Sequence, residues 1–305
     1  MKGSVTAAQE IPLFLNHEAS NLFGILTEPQ GAPNGIGVVW LPTRSTFYRN
    51  AFPVRLMRRL SARGFTCLRI DWRGRGESTG QTWEGRAHIE KVATTDAPDV
   101  AMAANWLVEE GLNGVIVVGH CSGARAALVA TPEIERLAGL AAISVPMADR
   151  SMQLAHGTPL FEYLKRGLSA SSSRGLLDAE IRKVYWRHIR LKASVSVRML
   201  RRPSDAPFGQ PKGLNPEVVA QLEALARRQV PVVLIYGSDD RYYHEVSAAR
   251  SSLYLDEPAK ALVELPVPLS GHVHNYRSLR VQEDLLEAVT AWVVDIPGRI
   301  DSVRP

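Results

Sequence analysis

The sequence predicts an α/β fold: a mostly parallel sheet with helices on both faces, interrupted once by a helical insertion. Three observations carry that reading. Short apolar runs alternate with segments of helical period up to residue 146 and again from residue 216 onward. Several of those runs are apolar at almost every position, as strands covered on both faces must be. Between the two alternating stretches, residues 147–215 carry no convincing buried strand and an excess of arginine. The expected organisation is a core in two parts, 1–146 and 216–305, with a basic helical cap over 147–215.

The elements follow in order. Ile11–Leu15 and Asn21–Thr27 read as two short strands joined by a polar turn, and 28–35 is a loop punctuated by proline and glycine. Ile36–Leu41 is a nearly continuous apolar strand. Phe52–Arg63 places Phe52, Leu56 and Leu60 at helical spacing and is closed by Gly64. Phe65–Ile70 is a strand, Asp96–Glu110 a helix, Val115–Val118 a strand, Ala124–Ala130 a helix of small residues and Gly139–Val145 a strand. Beyond the insertion come a helix over Pro216–Arg228, the strand Val230–Tyr236, a helix near Tyr243–Leu253, the strand Ala261–Val267 and a terminal helix over Arg280–Val294.

At 305 residues, 45% hydrophobic and 22% charged, the chain can bury a full core, which excludes disordered and fibrous classes. No apolar run is long enough to span a bilayer. Met1-Lys2-Gly3-Ser4 lacks the apolar stretch of a secretory signal. Cys67 and Cys121 form no disulfide framework and no metal-ligand pattern. The expectation is a reduced, cytoplasmic protein with no cofactor and no metal.

Gly119-His120-Cys121-Ser122-Gly123 lies where a strand meets a helix. A lone cysteine is most often a small inert core residue. What separates Cys121 from that class is the coincidence of strand, Gly-rich turn and helix, the setting of a nucleophile elbow. Side chains two positions either side of an elbow nucleophile would collide. Centring the turn on Cys121 puts glycines there, whereas centring it on Ser122 would put His120 and Ala124 there. The spacing selects the thiol, and the N-terminus of the following helix favours a thiolate.

In such an architecture the acid and the histidine follow the nucleophile in chain order, in loops after later strands. Val232–Asp240 is a strand ending in two carboxylates. Asp240, three residues past Gly237, is the first candidate to hold the imidazole, with Asp239 as alternate; one of the pair is expected to cap the next helix. Ser270-Gly-His-Val-His-Asn-Tyr276 offers His272 and His274 as the base that takes the thiol proton and later activates water. Two backbone N–H groups should receive the developing oxyanion: that of Ser122, and that of Thr43, because Pro42 has none.

With these residues in place the chain resembles the α/β-hydrolase superfamily over nearly its whole length outside the cap. Asp71-Trp-Arg-Gly-Arg-Gly-Glu-Ser78 is similar to the superfamily's Asp-x-x-Gly-x-Gly-x-Ser turn, and Leu22–Pro29 to its N-terminal hairpin. More narrowly it resembles bacterial hydrolases encoded with exosortase systems, which carry a G-x-C-x-G elbow, a stretch like Leu68–Ser78, a histidine two before an aromatic, and a basic helical cap. His274-Asn-Tyr276 fits that pattern and puts His274 ahead of His272. The chain departs from it at Trp40-Leu41-Pro42, where those proteins have glycines. The resemblance implies an α/β-hydrolase fold and acyl chemistry, and little about the acyl group; the substrate expected is a small-molecule ester or thioester. Epoxide hydrolase and dehalogenase chemistry would need an aspartate at the elbow.

The expected function is an acyl hydrolase with a covalent acyl-cysteine intermediate. The competing readings are acyl transfer to an amine or thiol, and a non-catalytic binding protein. Net charge is +5, and eleven Lys and Arg fall between Lys165 and Arg202, a stretch whose acids are Asp178 and Glu180, with Glu162 just before it. Such a run is commonly a solvated face. Its functional reading is a dock for an anionic carrier of the acyl group, either a phosphopantetheine-bearing protein or coenzyme A. No nucleic-acid motif accompanies the charge.

Overall fold

The computed structural model describes residues 8–17, 20–44, 49–81, 89–147, 214–249, 262–266, 268–276 and 278–303. Apart from its first and last residues, the expected cap lies outside the described residues, and its basic run with it. The segments before and after the insertion form one compact unit, joined through the sheet.

Among the described residues eight strands form one sheet in the order β1-β2-β4-β3-β5-β6-β7-β8. They are β1 (Glu10–His17), β2 (Ser20–Thr27), β3 (Ile36–Leu41), β4 (Thr66–Ile70), β5 (Gly114–His120), β6 (Leu137–Ile143), β7 (Val232–Ile235) and β8 (Val263–Glu264). The β1–β2 and β2–β4 pairings are antiparallel, and all the others are parallel. The α-helices among the described residues are α1 (Ala51–Ser61), α2 (Ile89–Glu109), α3 (Ser122–Ala130), α4 (Pro216–Arg227), α5 (Arg241–Ala249) and α6 (Leu279–Val303).

The continuous apolar runs become strands buried at every position, as in β3, β5 and β6. One face packs Val38, Trp40, Ile116, Val118, Ala141 and Ile143 against Phe52, Leu56 and Leu60 of α1 and Leu285, Val289 and Val293 of α6. Helices α2 and α3 cover the other face. The chain reverses after α1 at Gly64 (φ 86), where a Cβ would stand 2.6 Å from the Ala32 carbonyl oxygen, so no larger residue fits.

Three elements differ from their sequence expectation. Helix α2 begins at Ile89, not Asp96, and carries Pro98 in its interior at the loss of one backbone hydrogen bond. Asp96 and Asp99 therefore sit inside the helix and serve as buried anchors: Asp96 takes both Nε and Nη2 of Arg44 at 3.0 and 2.8 Å, and Asp99 takes Nε and Nη2 of Arg73 at 3.1 and 2.6 Å. Strand β8 is only two residues long, because Pro266 and Pro268 follow and cannot donate to a ladder. A single parallel bridge, Gly237 to Leu269, resumes the alignment of the two chain segments beyond it. The last helix runs to Val303, through Pro297, past the expected end at Val294.

Candidate active site

The parallel strands deliver their C-terminal ends to one edge, and the candidate residues gather there. Strand β5 ends at His120, Cys121 takes φ 50 and ψ −107, and α3 starts at Ser122. Positive φ costs a residue with a Cβ, and such strain persists only where surroundings impose it. The Cys121 N–H donates to the Ile143 carbonyl at 2.8 Å, and its own carbonyl accepts the Arg125 N–H at 3.1 Å, tying the turn to strand and helix. The flanking glycines are obligatory. A Cβ on Gly119 would lie 2.5 Å from Cα of Ala124, and one on Gly123 would lie 2.6 Å from the Leu41 carbonyl oxygen.

Ser122, by contrast, has its Oγ turned to the loop after β3, where it accepts the Arg44 N–H at 3.1 Å. As the first residue of α3 it has an N–H that the helix cannot satisfy. Thr43, buried, lies in the loop held against this turn.

The acid loop follows β7. Asp240 is buried, and its Oδ2 accepts the Ser144 hydroxyl at 2.7 Å and the Gly237 N–H at 3.0 Å. Both carboxylate oxygens lie within 3.0–3.1 Å of the His274 N–H, which joins the acid loop to the histidine loop. Although Asp240 directly precedes α5, its carboxylate is engaged with these groups. Asp239 is exposed and accepts the Ser238 hydroxyl at 3.0 Å.

His274 Nε2 stands 3.2 Å from the Cys121 Sγ, within hydrogen-bond reach of sulfur. Its ring meets the edge of Tyr242 at a centroid distance of 5.4 Å and lies 5.7 Å from the ring of His120. His272 stays on the surface, its side chain 64% exposed and its Nδ1 3.8 Å from Asp240 Oδ1, too far for a hydrogen bond. Of the residues singled out in the sequence, Cys121, Asp240 and His274 are thus brought together, with Ser122 and Thr43 beside them. Asp239 and His272 are left facing outward.

Two neighbours carried no signal in the sequence. Ser144, just past β6 with φ 46 and no exposure, supplies the shortest hydrogen bond to Asp240. His120 is fully buried between Trp40, Tyr276 and His274, and burial, with the adjacent His274, pushes its imidazole down to about 3. It is therefore a neutral ring at ordinary pH.

The Asp71–Ser78 turn is structural. The Ser78 hydroxyl donates to the Asp71 carbonyl at 2.8 Å and accepts the Phe23 N–H at 2.8 Å, and a Cβ on Gly76 would overlap the Asp71 carboxylate. Among the described residues no cluster of three or more His, Cys, Asp or Glu could hold a metal ion, and no helix is long and apolar enough to cross a membrane.

A strained strand–turn–helix elbow at the C-terminal edge of a parallel sheet, faced by an aspartate loop and a histidine loop, defines an α/β-hydrolase fold. The chain belongs to the alpha/beta hydrolase family, whose model matches residues 33–298. Among solved structures it is similar to an esterase from Pyrococcus furiosus, with 18% identity, 96% of this chain and 93% of that one covered, and a TM-score of 0.60. It is also similar to a proline iminopeptidase from Mycobacterium smegmatis, with 13% identity, 95% and 100% coverage and a TM-score of 0.59. A third is a serine hydrolase without lid from Xanthomonas campestris, with 14% identity, 95% and 94% coverage and a TM-score of 0.54. At these identities the likeness is one of fold. No curated protein matches the chain.

Proposed function

We propose that the protein is an acyl hydrolase that cleaves a carboxylic ester or thioester through an acyl-Cys121 intermediate. The observation that carries the reading is the 3.2 Å approach of His274 Nε2 to the thiol of the strained elbow residue. His274 takes the thiol proton, and the thiolate attacks the carbonyl carbon. The C–S bond forms as the carbonyl electrons move to oxygen, where the N–H groups of Ser122 and Thr43 receive the charge. Collapse expels the alcohol or thiol, which takes its proton from His274. Water, deprotonated by the same imidazole, then attacks the thioester and releases the acid. Asp240 holds the His274 loop through the His274 backbone N–H, and in this reading its charge offsets the imidazolium that forms in each step.

The test is intact-mass measurement after brief exposure to an activated ester, followed by peptide mapping. The expected result is one acyl group on Cys121 that disappears with time in water. A protein with no adduct there would be a binder with a hydrolase fold, and an adduct that persists in water but leaves with an amine or thiol would mark an acyltransferase. The basic run 165–202 supports an anionic acyl carrier, either coenzyme A or a phosphopantetheine-bearing protein. Turnover of such a substrate should weaken with salt while that of a small neutral ester should not.

A further inference from the structure

We propose that Trp72 is a positioning residue for the oxyanion hole: it sets the direction of the Thr43 N–H through the carbonyl that shares the same peptide unit. The inference rests on the acyl-Cys121 reading above and concerns how its oxyanion is held. The last register partner of β3 is Leu41, opposite Gly119. Beyond it the segment 42–44 has left the ladder, so its peptide planes take their direction from whatever side chains hold them.

Trp72, buried in the loop after β4, donates its indole Nε1–H to the Pro42 carbonyl at 2.9 Å. A Cβ on Gly123 would stand 2.7 Å from that same oxygen. The Pro42 oxygen is thus caught between the indole and the backbone that closes the elbow. The chain has no cis peptide among its described residues, so the planar Pro42–Thr43 unit directs the Thr43 N–H opposite to the Pro42 carbonyl. Holding the oxygen against the Gly123 backbone turns the N–H away from it, the direction assigned to the oxyanion.

The neighbouring units narrow the choice of donor. Pro42 has no N–H, and the Arg44 N–H is spent on the Ser122 Oγ at 3.1 Å. The Arg44 carbonyl accepts from the Arg75 guanidinium, a second hold on the loop from the same β4 turn. Thr43 is the donor that the acyl-Cys121 reading assigns to this loop, and the aim of its N–H depends on the indole. This gives a bulky aromatic in the Asp71–Ser78 turn a task beyond closing the turn. It also accounts for how a loop with Trp40-Leu41-Pro42 in place of glycines can still offer a donor.

The experiment compares wild type with Trp72→Phe, which keeps aromatic bulk and removes the N–H. Because the oxyanion exists only in the transition state, kcat on a p-nitrophenyl ester should fall about 10- to 100-fold with KM within about twofold, short of the loss on deleting a donor outright. The rate ratio between that ester and the matching thionoester should fall with it, since thiocarbonyl sulfur is a weak acceptor and gains little from an aimed N–H. Alkylation of Cys121 by iodoacetamide, which passes through no oxyanion, should keep its wild-type rate. An unchanged ester-to-thionoester ratio overturns the proposal whatever kcat does. So does alkylation that slows in step with kcat, which would mean that the elbow itself had moved. Should Trp72→Phe not fold, benzothienylalanine at position 72, with sulfur in place of the N–H, carries the same measurements. A wild type that forms no acyl-Cys121 sinks the acyl-enzyme reading and this inference with it; a wild type that acylates beside an unaffected variant sinks this inference alone.

Discussion

Cys67 lies inside β4 and Cys121 just beyond the end of β5, on either side of β3, and the two thiols meet opposite surroundings. Cys67 has no exposure, and its thiol leans on the Phe65 carbonyl at 3.7 Å. Burial pushes it far above the ordinary thiol range, with Arg69 opposing only in part. A thiol that cannot ionise is no nucleophile. Cys121 is partly exposed, sits at the N-terminus of α3, and has an imidazole nitrogen 3.2 Å from its sulfur. The difference lies in where each residue falls along a strand. Mid-strand, the side chain is enclosed between helices; one residue past the end, the backbone turns and delivers the side chain to the edge where the loops gather.

The sharpest way to break that comparison is to exchange the roles of the two residues. Cys121→Ala should lower turnover at least about 10⁴-fold. Cys67→Ala should leave kcat near wild type and cost about 1 kcal/mol of stability through the small cavity it opens. Steady-state kinetics beside denaturant titration reads both. A Cys67→Ala variant that is folded yet inactive would show that the buried thiol takes part.

The histidine loop gives the next largest contrast. His274→Ala should reduce kcat about 10³-fold or more, and His272→Ala should change it less than about fivefold, because only the first imidazole reaches the thiol. The reverse ranking would move the base to the exposed ring and the assignment with it.

Ser144 tests how much the support behind the acid matters. Losing its hydroxyl leaves Asp240 Oδ2 short of its shortest donor, and kcat should drop about tenfold. Ser144→Ala and Ser144→Gly should behave alike, although glycine suits φ 46 better. Full activity in the glycine variant would mean that the hydroxyl does nothing for catalysis.

The smallest effect on activity, and the one that sharpens the role of burial, concerns His120. Its imidazole is held down to about 3, below the ordinary 6.5, chiefly by burial. An unfolded chain binds that proton below about pH 6.5 and the folded one does not until near pH 3. Protonation therefore favours unfolding across that window. Stability should be full above pH 6.5 and decline as the pH falls toward 3, by several kcal/mol at most. Replacing the ring by an uncharged one in His120→Phe should flatten the fall in Tm over this window, with kcat within about tenfold of wild type. An equally steep decline in the variant would place the acid sensitivity elsewhere.

The alternation of strands and helices could be read in the sequence because strands covered on both faces must be apolar at nearly every position, as Ile36–Leu41 and Val115–Val118 are. The elbow could be read because backbone sterics demand glycine at 119 and 123, and a demand on the backbone is local. The spacing from Gly237 favours Asp240 over Asp239, a preference that is likewise local. What the tertiary structure alone decided is the direction of side chains where no period applies. His272 and His274 are two residues apart on an irregular loop, and no period says which faces inward; in the sequence only the resemblance carried by His274-Asn-Tyr276 puts His274 first, and the contact of its Nε2 with the Cys121 Sγ belongs to the folded chain. Ser144 and Trp72 belong to loops after other strands, and they meet Asp240 and Pro42 only because the strand order places those loops side by side at one edge. Patterning is a property of neighbours along the chain and survives in the sequence, whereas the convergence of loops 30 or 96 positions apart exists only once the sheet has formed.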